Sequence, residues 1–209
     1  AFVGLQIEPW GGFDEITVTG NRNVITNTII KNTYNSGILS RYSCIEATNC
    51  VIANNGSCSL QLEGGEYDFK HVTVGNYFNT APARQNPAVY VSNFTMLYGL
   101  PLPTQTSFTN CIIYGNLSSG EEIIVQKKDA ASFNYTFENC LIKSSLNDEH
   151  FVNCTTGDPD FVHVSGNDYH LGSLSHAINR GKSSIGVSYD LDGNFRSNIP
   201  DIGAYEFVR

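Results

Sequence analysis

A chain of 209 residues that is 41% hydrophobic and 15% charged is long enough to bury a substantial core and too apolar to stay disordered. Its net charge of -8 argues against a phosphate-tracking surface and so against nucleic acid as a partner, and no run of eighteen apolar residues offers a membrane span. Sparse charge combined with 19 glycines and abundant Asn, Ser and Thr is the usage of β-strands joined by tight turns.

From the N-terminus onward one phrase recurs. It appears as "ITNTIIKNT" from Ile25, "ATNCVIANN" from Ala47 and, blurred, "FKHVTVGN" from Phe69, a step of 22 residues. It returns as "FTNCIIYGN" from Phe108 and "FENCLIK" from Phe137. Repetition at such a period is the signature of stacked structural repeats. Aligned, the copies form columns: Ile25, Ala47, Phe69, Phe108, Phe137; then Asn27, Asn49, His71, Asn110, Asn139; then Thr28, Cys50, Val72, Cys111, Cys140. Apolar residues alternate with outward ones on either side of the Asn, which is strand periodicity. Asn tolerates the left-handed backbone of a sharp bend, and its amide is expected to bond to the same group one layer away.

Upstream of each copy lies another strand, with inward pairs Ile16/Val18, Ile38/Ser40, Leu60/Leu62, Val89/Val91 and Ile123/Val125. The later coils carry insertions, "NYFNTAPARQNPA" and "GLPLPTQT", which read as loops thrown out from the bends. Three short strands per coil, each stacking on its own kind, predict an all-β fold. It is a single-stranded parallel β-helix, right-handed because parallel crossovers prefer that hand. Cys50, Cys111 and Cys140 then face inward as small buried hydrophobes, and a disulfide framework is not expected. In the third sheet the outward positions are Ile29, Val51, Thr73, Ile112 and Leu141. Four are large and apolar, so something must cover this ridge. The nearest candidate is part of 155–209, whose Phe161, Val162, Tyr169, Leu171, Tyr205 and Phe207 need a surface to pack on; a subunit or a missing domain is the alternative.

After Cys154 the columns stop. Asp158-Pro159 with Phe161, "NDYHL" at 167–171, "SHAINRG" at 175–181, "DLDGN" at 190–194 and "DIGAYEF" at 201–207 follow in order. Together they resemble the C-terminal closing segment of secreted bacterial right-handed parallel β-helix proteins of the pectate-lyase-like superfold. The resemblance implies coils over 1–154, forming the C-terminal part of a longer helix, and a capping segment over 155–209 packed on them. It also implies an extracellular, cell-surface or periplasmic location. The third motif departs from the usual form, with Asn179 where a carboxylate is common, so a charge-dependent role at 179 is not carried over. The chain opens at Ala1 without an initiator methionine, which reads as a processed or excised piece with upstream β-helix coils of the same protein as neighbours.

On such a scaffold the outward face of the first sheet is a floor for a long glycan. Its columns read Thr17, Leu39, Gln61, Tyr90, Ile124 and Thr19, Arg41, Glu63, Ser92, Gln126, followed by Lys127 and Lys128. Arg41, Glu63 and Lys128 are candidates for a charged cluster, and Tyr90 for a sugar-stacking platform. "DLDGN" places Asp190, Asp192 and Asn194 at alternating positions, with Asp201 eleven residues after the first, resembling calcium-loop spacing. Phe195 stands where that loop wants glycine, so an Asx-stabilised turn is the simpler reading. No cofactor is required, and Ca2+ is the one candidate. The sequence therefore points to an exported, polysaccharide-associated protein, binding glycan or acting as a surface scaffold. One alternative is the C-terminal part of a polysaccharide lyase or glycoside hydrolase with its active residues mostly upstream. The other is a surface adhesion or protein-interaction module.

Overall fold

The computed structural model describes residues 3–7, 22–79 and 83–208. Among these residues, every pairing between successive coils is parallel, and three columns of strands wind into a parallel β-helix. The first column holds Leu5–Ile7, residues 38–41 and 60–63, Val89–Ser92 and Ile123–Gln126. The second holds Asn23–Thr26, residues 43–48 and 65–70, Thr104–Thr109, Phe133–Glu138 and Phe151–Val152. Two strands, Ile38–Thr48 and Leu60–Lys70, run through the corner between these columns and join them into one nine-stranded sheet. Ile29–Lys31, Val51–Ala53, Thr73–Asn76, Ile112–Gly115 and Leu141–Ile142 make the third column.

The register follows the chemistry of the repeat. Ile38, Leu60, Val89 and Ile123 stack in the first sheet, and Ile30, Ile52, Val74, Ile113 and Ile142 in the third. One position differs from the expected column. Leu5–Ile7 pairs with Ile38–Ser40, the neighbour expected for Ile16/Val18. Ile16, Thr17, Val18 and Thr19 lie outside the described residues. In the second sheet Phe69, Phe108, Phe137 and Phe151 form a face-to-face stack with ring centroids 4.7, 4.7 and 4.8 Å apart. That spacing is the distance between strands, so one ring per coil fills the interior as a continuous column. Phe151-Val152-Asn153-Cys154 is a further partial copy of the repeat, paired with Phe137 and Glu138.

The bends are as sharp as the asparagines suggest. Asn27, Asn49, His71, Asn110, Asn139 and Asn153 adopt φ of 47, 50, 51, 54, 49 and 53°. The left-handed region disfavours most side chains, and Asn visits it at low cost. Cys50, Cys111 and Cys140 follow these bends as buried free thiols. Cys111 and Cys140, on adjacent coils, are not bridged.

The apolar ridge of the third sheet is covered by the chain's own last fifty residues. Val51 and Ala53 pack against Tyr169, Ala204 and Tyr205, while Ile112 and Leu141 pack against Leu171, Ala177 and Ile202. Burying an aliphatic side chain is worth about 1.5–3 kcal/mol, so this contact is a main source of the tail's attachment. Ile29, at the far end of the row, stays 50% exposed, as does Val162 in the tail at 59%. Close approach demands glycine at two points. The Tyr169 ring lies where a Cβ on Gly75 would sit, and its hydroxyl donates to Asn54 Oδ1 and the Gly75 carbonyl, both at 2.9 Å. Gly203, at φ 101°, presses on Ile112 and Thr73 and donates its N–H to the Asn110 carbonyl.

Asn110 Nδ2 meets the bend side chain of the coil before it, His71 Nε2 at 3.0 Å, but most of the bend amides turn to the tail. Asn49 Nδ2 donates to the Tyr189 carbonyl (2.7 Å), Asn110 Nδ2 to that of Lys182 (2.9 Å) and Asn139 Nδ2 to that of Arg180 (3.2 Å). Buried Arg196 completes the clasp. It donates to Asn49 Oδ1 (2.9 Å), Glu206 Oε1 (2.8 Å) and the carbonyls of Gly203 and Ala204.

Candidate functional site

The outer face of the first sheet begins as an alternation of outward residues and acquires a wall. After Val89–Ser92 the chain leaves the coil and folds back over the sheet as a loop, 93–103. Its ends are held together by an antiparallel bridge between Phe94 and Pro101 and by Leu102 N–H donating to the Asn93 carbonyl (2.7 Å). Gly99, at φ 65°, permits the reversal, with its N–H donating to the Thr95 carbonyl. Asn93 pins the base. Its Nδ2 donates to the carbonyls of Lys128 (2.7 Å) and Ala131 (2.8 Å), and its Oδ1 accepts from Lys128 N–H (2.6 Å).

The four sequence candidates lie on or beside this wall. Glu63 is fully buried. It accepts from Arg41 Nε (3.0 Å), Gln61 Nε2 (2.6 Å) and the Met96 N–H (3.1 Å), so a carboxylate on the floor anchors the loop that covers it. Such a buried carboxylate is stable because each oxygen is paired with a donor. Tyr90 is 5% exposed and donates its hydroxyl to Gln126 Oε1 (2.7 Å). Its ring is floor beneath the wall, without the open face that stacking on a sugar requires. Lys128 Nζ donates to the Gly99 carbonyl (3.2 Å) and sits 4.4 Å over the Phe94 ring, a cation–π contact that braces the loop.

What faces water is the wall itself. Met96, Leu97 and Tyr98 are 55, 67 and 67% exposed, side by side on a loop fixed at both ends. Sequence reasoning treated "GLPLPTQT" as a loop leaving a bend. The signal available was the apolar run Met96-Leu97-Tyr98 in a segment expected to be solvated. The outer face of the second sheet is different in kind. Arg22, Glu46, Glu66, Asp68 and Lys70 form a surface ladder of ion pairs, Lys70 Nζ–Asp68 Oδ2 (2.7 Å) being the shortest. Exposed pairs of this kind add little stability and keep the face wet.

The "DLDGN" turn is built by hydrogen bonds. Asp190 Oδ1 accepts from the N–H groups of Asp192 (3.0 Å) and Asn194 (2.7 Å), and Oδ2 from Asn194 Nδ2 (3.1 Å) and the Glu206 N–H (2.8 Å). Asp201 is spent likewise, on the N–H groups of Asn179 (2.7 Å) and Phe207 (2.6 Å). The calcium-loop spacing of Asp190, Asp192, Asn194 and Asp201 thus serves an Asx turn, because backbone donors already occupy the carboxylate oxygens. Among the described residues no three His, Cys, Asp or Glu side chains are grouped to hold a metal ion. Asp192 instead faces His170 Nε2 (2.7 Å), whose Nδ1 meets Asp168 (2.6 Å). Burial works to lower the His170 pKa, and the bonds to Asp192 and Asp168 outweigh it and raise the value.

Among the described residues no helix is long and apolar enough to cross a membrane. No protein-family model matches the chain, and no curated protein matches it. Among solved structures it is similar to one titled "Crystal structure of pectate lyase Pel9A", at 14% identity and a TM-score of 0.34. That similarity covers 88% of this chain and 65% of the other, so the chain spans less than two thirds of that protein's length.

Proposed function

We propose that this is an exported β-helix protein that binds polysaccharide along the wall of its first sheet, holding glycan or serving as a surface scaffold. The observation that carries this reading is the loop 93–103. It is clamped at both ends and braced by a buried carboxylate, yet it holds Met96, Leu97 and Tyr98 in solvent. A preorganised loop loses little entropy on binding, and exposed apolar side chains beside amides suit the two sides of a sugar chain. Gln126 supplies an exposed amide, and Lys128 a positive charge for an acidic polymer.

The purified protein is to be screened on arrays of acidic and neutral polysaccharides, with binding measured for wild type and Tyr98→Ala. Removing an exposed stacking ring is expected to cost about 1 kcal/mol or more, roughly fivefold in Kd. Absence of any polysaccharide ligand, or wild-type affinity in Tyr98→Ala, would sink the assignment. Release of ultraviolet-absorbing unsaturated products from a uronate polymer would replace it with a lyase.

A further inference from the structure

A second cleft lies away from the first sheet, where the ends of third-sheet strands meet the tail. It encloses about 500 Å³ and is lined chiefly by Asn32, Tyr77, Phe78, Asn79, Asn116 and Ser165. We infer that this cleft binds a short neutral saccharide, independently of the wall at loop 93–103.

Three features argue for it. Among the described residues the lining carries two aromatic rings and several amides but no ionised side chain. Carbon–hydrogen faces of a sugar ring pack on aromatic surfaces, and its hydroxyls pair with amide donors and acceptors. A carboxylate-bearing sugar would lose hydration here with no cation to replace it, so the lining selects for neutrality. The nearest guanidinium, Arg84, is already committed. Both its terminal nitrogens bond to buried Glu122, at 2.9 and 2.7 Å, and it reaches Asn116 Oδ1 only at 3.4 Å.

The walls are also fixed in advance. Asn54, in the left-handed conformation at φ 52°, donates to Asn167 Oδ1 (2.8 Å) and accepts from Tyr169 Oη (2.9 Å) and the Tyr77 N–H (3.1 Å). The Tyr77 ring is held edge-on to Phe161, with centroids 6.2 Å apart. Ser165 Oγ is bonded to His163 Nε2 at 2.9 Å. Coil and tail therefore build the cleft jointly, and its volume falls in the range of small-ligand sites. Finally, Asn32 and Asn79 are exposed at its mouth, beside the half-buried Phe78.

The test is titration calorimetry with cellobiose, lactose and chitobiose, using digalacturonate as the charged control. At least one neutral disaccharide should bind. Phe78→Ala and Asn32→Gly should each weaken it about tenfold, the loss expected of a stacking or hydrogen-bonding hot spot. Asn32→Gly retains the backbone conformation at φ 57° while removing the amide, so a folded variant reports on the site even if Phe78→Ala is unstable. Tyr98→Ala should bind the disaccharide as wild type does, which separates this cleft from the first-sheet wall. The inference fails if no neutral disaccharide binds, if Asn32→Gly binds unchanged, or if digalacturonate binds as tightly. It fails equally if affinity is lost in Tyr98→Ala.

Discussion

His71 is the one histidine in a column of asparagines, and its surroundings admit only the neutral ring. It is fully buried, with Nδ1 3.2 Å from the Gly203 carbonyl and Nε2 3.0 Å from Asn110 Nδ2. Asn110 cannot turn its amide round, because its Oδ1 accepts from the Lys182 N–H at 2.6 Å. Nδ1 therefore carries the proton, and Nε2 accepts. A second proton would set two donors against each other. Burial, and then the nearby Arg196 charge, bring the His71 pKa down to about 3 from 6.5. Below pH 6.5 the unfolded chain takes up a proton that the folded chain refuses, so stability falls as pH falls, and the loss continues down to about pH 3. Between pH 7 and pH 5 the linkage comes to about 2 kcal/mol, roughly 4–8 °C in Tm for a chain of this size. Asn belongs to the column and tolerates the bend, so His71→Asn should fold and lose this pH dependence. Urea denaturation of both proteins at pH 7, 6 and 5 measures it as the difference between two profiles, which cancels the other histidines. Parallel profiles, within about 0.5 kcal/mol across that interval, would refute the assigned ring state and the linkage drawn from it.

Two further outcomes follow from the interior. Phe108, stacked on both sides and fully buried, should cost about 3–5 kcal/mol when changed to alanine, measured by chemical denaturation. A cost below about 1 kcal/mol would contradict the placement of this ring in a close-packed, fully buried column. Cys50, Cys111 and Cys140 should resist a thiol reagent until the protein unfolds, with burial also pushing the thiols of Cys50 and Cys140 up and away from the reactive thiolate. Rapid labelling of any of the three in the native protein, or a mass change on reduction, would contradict their placement.

The coils were legible because a stacked repeat forces the same chemistry on the same position in each layer. Phenylalanine above phenylalanine and asparagine above asparagine can be aligned without knowing the fold. The 22-residue step does not point to Leu5–Ile7, because the interval between paired first-sheet strands varies from coil to coil. The ridge Val51, Ile112, Leu141 was readable as a surface needing a cover, since outward apolar residues in register are costly in water. So were most of the large tail residues that seat there, Tyr169, Leu171 and Tyr205 with Phe161 and Phe207 beside them; the remaining contacts were not. Ala177, Ile202 and Ala204 meet the ridge through backbone turns that carry no periodicity, while Val162, apolar and nearby in sequence, points to solvent. The wall over the first sheet was hidden for a related reason. Glu63 looks in sequence like one more outward charge, and only the return of Met96 makes it a buried anchor. The step Asn32, Asn54, Asn76 was present in the sequence, but the Asn-Cys phrase gives no weight to it.

The bonds from the asparagine bends to the tail also constrain how such a chain can change length. A β-helix grows by duplicating a coil, and each added layer moves everything beyond it by about one strand spacing, near 4.8 Å. Here the tail grips Asn49 through Tyr189 and Arg196, Asn110 through Lys182 and Gly203, and Asn139 through Arg180. A coil inserted between residues 49 and 139 would pull these anchors apart, and a tail of fixed length could not hold all three. A coil added before residue 49 would leave every grip in place. The closing segment thus acts as a gauge that fixes the number of turns beneath it and leaves the helix free to lengthen only at its other end.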